Sequence, residues 1–152
     1  MKIVIVADPF AVELKNAIVC HLKEKGHDVL DFGSTETKEI PYYDGAVSAA
    51  RAIQAGEGER GIFLCGSGMG MSIVANRFTG IRAAVVESVF AARMCRAIND
   101  ANVLCLGAMI WGQWMALEAV DVFLTTNLAD GLPDLTEFLQ AAVKKVEAIP
   151  HQ

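Results

Sequence analysis

The chain has 152 residues, 53% hydrophobic and 20% charged, which is enough apolar material for one full core and too much for a disordered segment. Its net charge is −5, with 13 basic residues scattered along it, so it lacks the basic stripe of a nucleic-acid-binding surface. Every apolar run breaks well short of the roughly 18 residues that a membrane span needs.

The chain opens Met1-Lys2-Ile3-Val4-Ile5-Val6-Ala7-Asp8. The β-branched run is too short for a signal peptide and has no small-residue cleavage site. Residues 2–7 therefore read as a first strand, and the chain is expected in the cytosol. There the four cysteines, Cys20, Cys65, Cys95 and Cys105, are reduced. They form no CxxC pair, and with His21, His27 and His151 they make no zinc spacing. Cys20, Cys95 and Cys105 are expected to fill core space.

Helical spacing covers 11–25, and Gly26 is placed to end it. A second strand covers 29–32. The polar segment 34–43 reads as a loop, and 44–55 as a helix broken by Gly56-Glu57-Gly58. Residues 61–64 form a third strand, apolar on both faces, followed by a glycine-rich turn and a helix to Asn76. A strand at 81–86, a helix at 88–97, a strand at 102–106 and helices at 111–124 and 135–149 complete the chain. Strands buried on both faces and separated by helices predict an α/β fold: a doubly wound, Rossmann-like sheet of five parallel strands with helices on both faces. Residues 1–152 read as one domain. Ligands of such sheets sit beyond the carboxyl ends of the strands, which draws attention to Asp8, to the turn Cys65–Gly70 and to Glu87.

The turn reads Cys65-Gly66-Ser67-Gly68-Met69-Gly70. Glycines let backbone approach a ligand closely, and free N–H groups at a helix start attract anions. It is not a nucleotide P-loop, because the GK[ST] ending is missing. A thiol just before a helix start is stabilised as thiolate and is placed to carry a proton or act as nucleophile. A buried strand-end cysteine would look the same in sequence. Ser67 is either an assisting hydroxyl or a helix cap.

The run Cys65–Asn76 resembles the central motif of the type B ribose-5-phosphate isomerases, a family that includes galactose-6-phosphate isomerase subunits. Ala7-Asp8, Pro41-x-Tyr43, Gly80-Ile81-Arg82-Ala83-Ala84 and Asn99-Asp100-Ala101-Asn102-Val103-Leu104 agree with it. The resemblance implies an aldose–ketose isomerase in which Cys65 moves a proton between C1 and C2 through a cis-enediolate. The backbone of Gly66, Gly68 and Gly70 would hold the oxyanion, Ser67 would relay protons, and Asp8 and Asn99 would hold sugar hydroxyls. It implies no metal and no cofactor. It also implies a homodimer or homotetramer with shared sites, Asn99 reaching the partner's site and helix 135–149 packing on the partner. From their positions, Asp8 also reads as a helix cap and Asn99 as a turn residue.

The family pattern also has histidines where this chain has Pro9 and Ile98, and arginines in the C-terminal stretch, where 128–152 has none. Ile98 cannot open a furanose ring. The substrate expected is a phosphorylated sugar already in open-chain form, such as a tetrose or tetrulose phosphate. Ribose 5-phosphate, a hexose 6-phosphate, and a non-catalytic or partner-dependent homologue are the alternatives. Arg93 and Arg96, with Arg77, are the phosphate-binding candidates. Trp111 and Trp114 are expected in the core or a dimer interface, Met69 and Met71 as gap fillers, His21 and His27 in solvent, and His151 in a frayed tail.

Overall fold

The computed structural model describes residues 1–150; His151 and its expected frayed tail lie outside the described residues. Strands β1 (Lys2–Ala7), β2 (Asp28–Asp31), β3 (Arg60–Cys65), β4 (Ala83–Val85) and β5 (Val103–Gly107) form one parallel sheet in the order β2-β1-β3-β5-β4. Helices α1 (Val12–Glu24), α2 (Tyr42–Gln54), α3 (Met69–Ala75), α4 (Val89–Ala97), α5 (Gln113–Thr125) and α6 (Thr136–Glu147) connect and follow them. This is the doubly wound α/β architecture that the alternation of strand and helix signals predicts.

The strand period of two divides the core into layers. Ile3, Ile5, Ile62, Leu64, Leu104 and Leu106 meet α1, α4 and α5 on one face. Val4, Val6, Phe63, Cys65, Val103 and Cys105 meet α2 and α3 on the other. Small residues on α2 (Ala46, Ala49, Ala50) let that helix lie close to the sheet. Asp8 continues β1 in extended conformation, so alternation gives it the face of Cys65.

Several boundaries and burials differ from expectation, each for a local reason. Helix α2 begins at Tyr42 rather than 44 because Pro41 is its N-cap, a position where the missing N–H costs nothing. Helix α5 begins at Gln113 because Trp111 is held in a turn: its N–H donates to the Gly107 carbonyl and its indole N–H to the Val86 carbonyl at 2.9 Å. Trp111 is buried, whereas Trp114 is 89% exposed and not in the core. Cys20 is also exposed, on the outer side of α1, where its thiol bonds Glu24. Met71 fills the core but Met69 is exposed. His21 is not free in solvent: its Nε2 lies 2.8 Å from Asp121 Oδ1, and Lys25 Nζ lies 2.8 Å from Oδ2, clasping α1 to α5.

The carboxyl edge of the sheet is locked by backbone rather than side chains. Cys65 and Gly107 are register partners. Beyond them, the Ala108 N–H donates to the Cys65 carbonyl and the Met109 N–H to the Gly66 carbonyl, both at 2.9 Å. Gly68 has φ +76°, and a β-carbon there would stand 2.9 Å from the Leu106 carbonyl carbon. One on Gly107 would stand 2.6 Å from that of Ser67.

Gly80 has φ +80° with nothing within 4 Å of a built β-carbon, which makes it the control for Gly68. Urea unfolding is expected to show a loss of about 1–2 kcal/mol for Gly80→Ala, the left-handed penalty alone. For Gly68→Ala the expected loss is about 3 kcal/mol or more, because a backbone collision is added. A second prediction concerns Asp121. Burial raises its carboxyl, but the hydrogen bonds from Lys25 and His21, with their charges, outweigh that and hold it below the ordinary value. The clasp is therefore fully stabilising above the unfolded carboxylate value of about 4, and its contribution is lost as pH falls through the lower folded value. Asp121→Asn is expected to lower Tm by about 2–4 °C at pH 7 and to leave it unchanged at pH 2.

Candidate active site

The chain winds from β1 outward to β2, returns to β3 on the other side of β1, continues to β4 at the far edge and comes back to β5 between β3 and β4. The direction of winding reverses between β1 and β3, and the crevice above such a point is where open α/β sheets bind ligands. Asp8 leaves β1 there and Cys65 leaves β3. The Asp8 N–H donates to the Leu64 carbonyl at 3.1 Å.

Cys65 is 5% exposed, and its Sγ accepts a hydrogen bond from the Gly68 N–H at 3.1 Å. The other three thiols have no comparable setting. Burial pushes Cys95 up to about 11 and Cys105 well above the ordinary value. Cys20 is raised by its hydrogen bond to the Glu24 carboxylate. Ser67 is half-buried beside Cys65, its Oγ 3.4 Å from the Met69 nitrogen. Asp8 does cap a turn: its Oδ1 accepts the Phe10 N–H at 3.0 Å. Burial raises its carboxyl, opposed by the backbone N–H groups of Phe10 and Ala11.

Gly66, Gly68 and Gly70 each sit under a neighbour. A β-carbon on Gly66 would meet the Met109 thioether at 3.3–3.4 Å, and one on Gly70 would meet the Tyr42 ring at 2.7 Å. Met109 is 73% exposed and Tyr42 39%, so both side chains form the rim of the crevice. Neither stands out in the sequence as a site residue. Pro41 before a helix start and the glycine that ends β5 are the local signals for them.

The structure brings together Asp8, Cys65, Gly66, Ser67, Gly68 and Gly70. It does not bring Arg96 to them. Arg96 is 3% exposed and spent inside the fold, on the Asp100 carboxylate at 2.6 Å and on the carbonyls of Ala101 and Thr126. The expectation that Arg96 binds phosphate is thereby corrected: its guanidinium closes the end of α4. Arg93 and Arg77 are exposed. Glu87 is exposed too, at the carboxyl end of the sheet. Asn99 follows α4, which runs back across the sheet. It therefore lies at the amino edge, roughly 15 Å from Cys65 by the length of a five-residue strand. There it lines a groove of about 610 Å³ with Ile98, Ile81, Val143 and Val146. That groove is distant from the thiol. Asp100 beside it has φ +49° and is held by Arg82 and Arg96, a structural role. Among the described residues no three His, Cys, Asp or Glu side chains gather as a metal site, and no helix is long and apolar enough to cross a membrane.

Residues 3–138 match the family model described as Ribose/Galactose Isomerase. The chain is 43% identical over 151 residues to a 4-deoxy-4-sulfo-D-erythrose isomerase of Clostridium sp. (strain MSTE9), covering 98% of this chain and 95% of the relative. It is 42% identical over 132 residues to a D-erythrulose-4-phosphate isomerase of Pectobacterium atrosepticum, covering 86% of this chain and 87% of the relative. Its structure is similar to that of a ribose 5-phosphate isomerase from Thermotoga maritima, with TM-score 0.87 and 36% identity over 97% of this chain and 98% of that one. A parallel sheet whose reversal point carries a thiol in a glycine turn, together with these likenesses over nearly the whole chain, places the protein in the ribose/galactose isomerase family, as an aldose–ketose isomerase.

Proposed function

We propose that the protein interconverts an open-chain four-carbon aldose and its ketose, each carrying an anionic group at C4, with Cys65 as the proton carrier. The observation that carries this reading is the Gly68 N–H on the Cys65 sulfur, in a turn shared with Ser67 at the reversal point of the sheet. In the aldose-to-ketose direction the thiolate takes the C2 proton. The C–H electron pair becomes the C1–C2 double bond, and the carbonyl oxygen on C1 takes up the charge. The same thiol then returns a proton to C1 while the C2 oxygen becomes the carbonyl and gives up its proton, which Ser67 relays to the C1 oxygen. Backbone N–H groups of the glycine turn stabilise the enediolate oxygen, an interaction worth about 2.7–4 kcal/mol per donor in comparable sites.

Chain length follows from what the site lacks. Ile98 stands where the family resemblance expects a ring-opening histidine, and a hydrocarbon side chain transfers no proton. A tetrose with phosphate on O4, or with sulfur on C4 in place of oxygen, has no free hydroxyl with which to close a furanose. Two similar relatives are named for such four-carbon compounds. Asn99 lies across the sheet from Cys65 in its own chain, so a second copy of the chain would be needed to bring an Asn99 to each thiol. That supports a homo-oligomer with shared sites.

The test is deuterium exchange followed by NMR, with wild type and Cys65→Ala incubated with four-, five- and six-carbon sugar phosphates and with 4-deoxy-4-sulfo-D-erythrose. Exchange and ketose formation are expected with the four-carbon compounds and to fall at least about 100-fold in Cys65→Ala. Higher kcat/KM on ribose 5-phosphate would overturn the chain length. No exchange with any compound would favour a binding or partner-dependent homologue.

A further inference from the structure

Three of the cations that could hold a sugar's anionic tail are committed elsewhere in this molecule, while Arg77 and Arg93 are exposed. Arg96 is buried on Asp100, Ala101 and Thr126. Lys15, 1% exposed, is spent on Asp31 at 2.6 Å and the Ser34 carbonyl at 2.9 Å. Arg82 is held by Asp100 and Glu147 at the amino edge of the sheet. A donor at the glycine turn itself is Tyr42. Its ring presses on Gly70 so closely that a β-carbon there would stand 2.7 Å from Cε2, 2.9 Å from Cδ2 and 3.2 Å from Cζ. Cζ carries the phenolic hydroxyl, so this contact holds the O–H at the turn that carries Cys65.

The ring has one further aromatic neighbour, and its backbone is set by the helix start. Pro41 immediately precedes it as the N-cap of α2, and Tyr43 meets it edge to face, with centroids 5.3 Å apart and planes at 79°. Among the described residues the Tyr42 hydroxyl makes no hydrogen bond to protein, and the side chain is 39% exposed. A phenol held at a catalytic turn without a protein partner is a preorganised donor. Its hydrogen bond to an anion is of the charge-assisted, stronger kind.

We propose that Tyr42 is a substrate-binding residue whose O–H donates to the tetrahedral oxyanion, phosphate or sulfonate, on C4 of the substrate. This rests on the reading of the site given above and names the group that receives the tail. The experiment compares wild type with Tyr42→Phe, which keeps the ring on Gly70 and removes one oxygen. Calorimetric titrations with inorganic phosphate and, separately, with methanesulfonate are paired with steady-state kinetics on D-erythrulose 4-phosphate. The Kd of at least one anion is expected to rise about tenfold, as loss of a hydrogen bond to a charged group implies, with KM rising in parallel and kcat within twofold. The anion that weakens identifies the group Tyr42 receives. An unchanged Kd for both anions, no binding of either by wild type, or a fall in kcat with KM and Kd unmoved overturns the assignment. Tyr42-dependent anion binding in a protein without Cys65-dependent exchange would instead sink the isomerase reading while leaving this one standing.

Discussion

Two stretches of backbone cross at van der Waals distance above β3 and β5, and the geometry of the proposed site depends on that crossing. The turn after β3 passes so close to the end of β5 that Gly68 has no room for a β-carbon beside Leu106, nor Gly107 beside Ser67. Because the interlock uses main chain and two N–H···O=C bonds, its geometry is as stiff as the sheet below it. The Gly68 N–H is thereby aimed at the Cys65 sulfur without the entropy cost of ordering a long side chain. Preorganisation of this kind lets a neutral donor act on a developing charge without first rearranging.

The two edges of the sheet divide the polar groups between them. At the amino edge Arg82, Arg96, Asp100 and Glu147 satisfy one another in a continuous network. Around the turn after β3 at the carboxyl edge the polar atoms are incompletely used: they include a thiol, a hydroxyl, one capping carboxylate and two phenols. The rim around them is apolar, with Phe10, Met69 and Met109 all exposed. Proton transfer is favoured where competing water is sparse, and the hydrocarbon rim would supply that environment to the thiol in the proposed reaction.

What was legible in the sequence was whatever depends on local pattern. The β-branched run of β1, the apolar run of β3 and the glycines after Cys65 specify strand, turn and helix without outside help, whereas the thiol of Cys65 was singled out by the family resemblance rather than by its position alone. What was not legible depends on where elements lie in space. Cys20 reads as apolar by residue type, yet α1 turns it outward. Arg96 reads as a free cation until Asp100, four residues on, is seen to be held at the same helix end. The distance between Asn99 and Cys65 follows only once α4 is known to run antiparallel to the strands. Tyr42 stood in a segment read as loop, and its contact with Gly70 joins residues far apart in the chain.

Asn76, the last residue of the motif that begins at Cys65, faces the outer side of β4. Its amide donates to the Ala83 carbonyl and accepts the Ala83 N–H, both at 2.8 Å, so a side chain occupies the place of a sixth strand. An edge of three residues whose first outward pair is already bonded offers little template to an incoming chain. On that side the sheet is closed to extension, which guards against edge-to-edge aggregation and confines any assembly there to helix and loop surfaces.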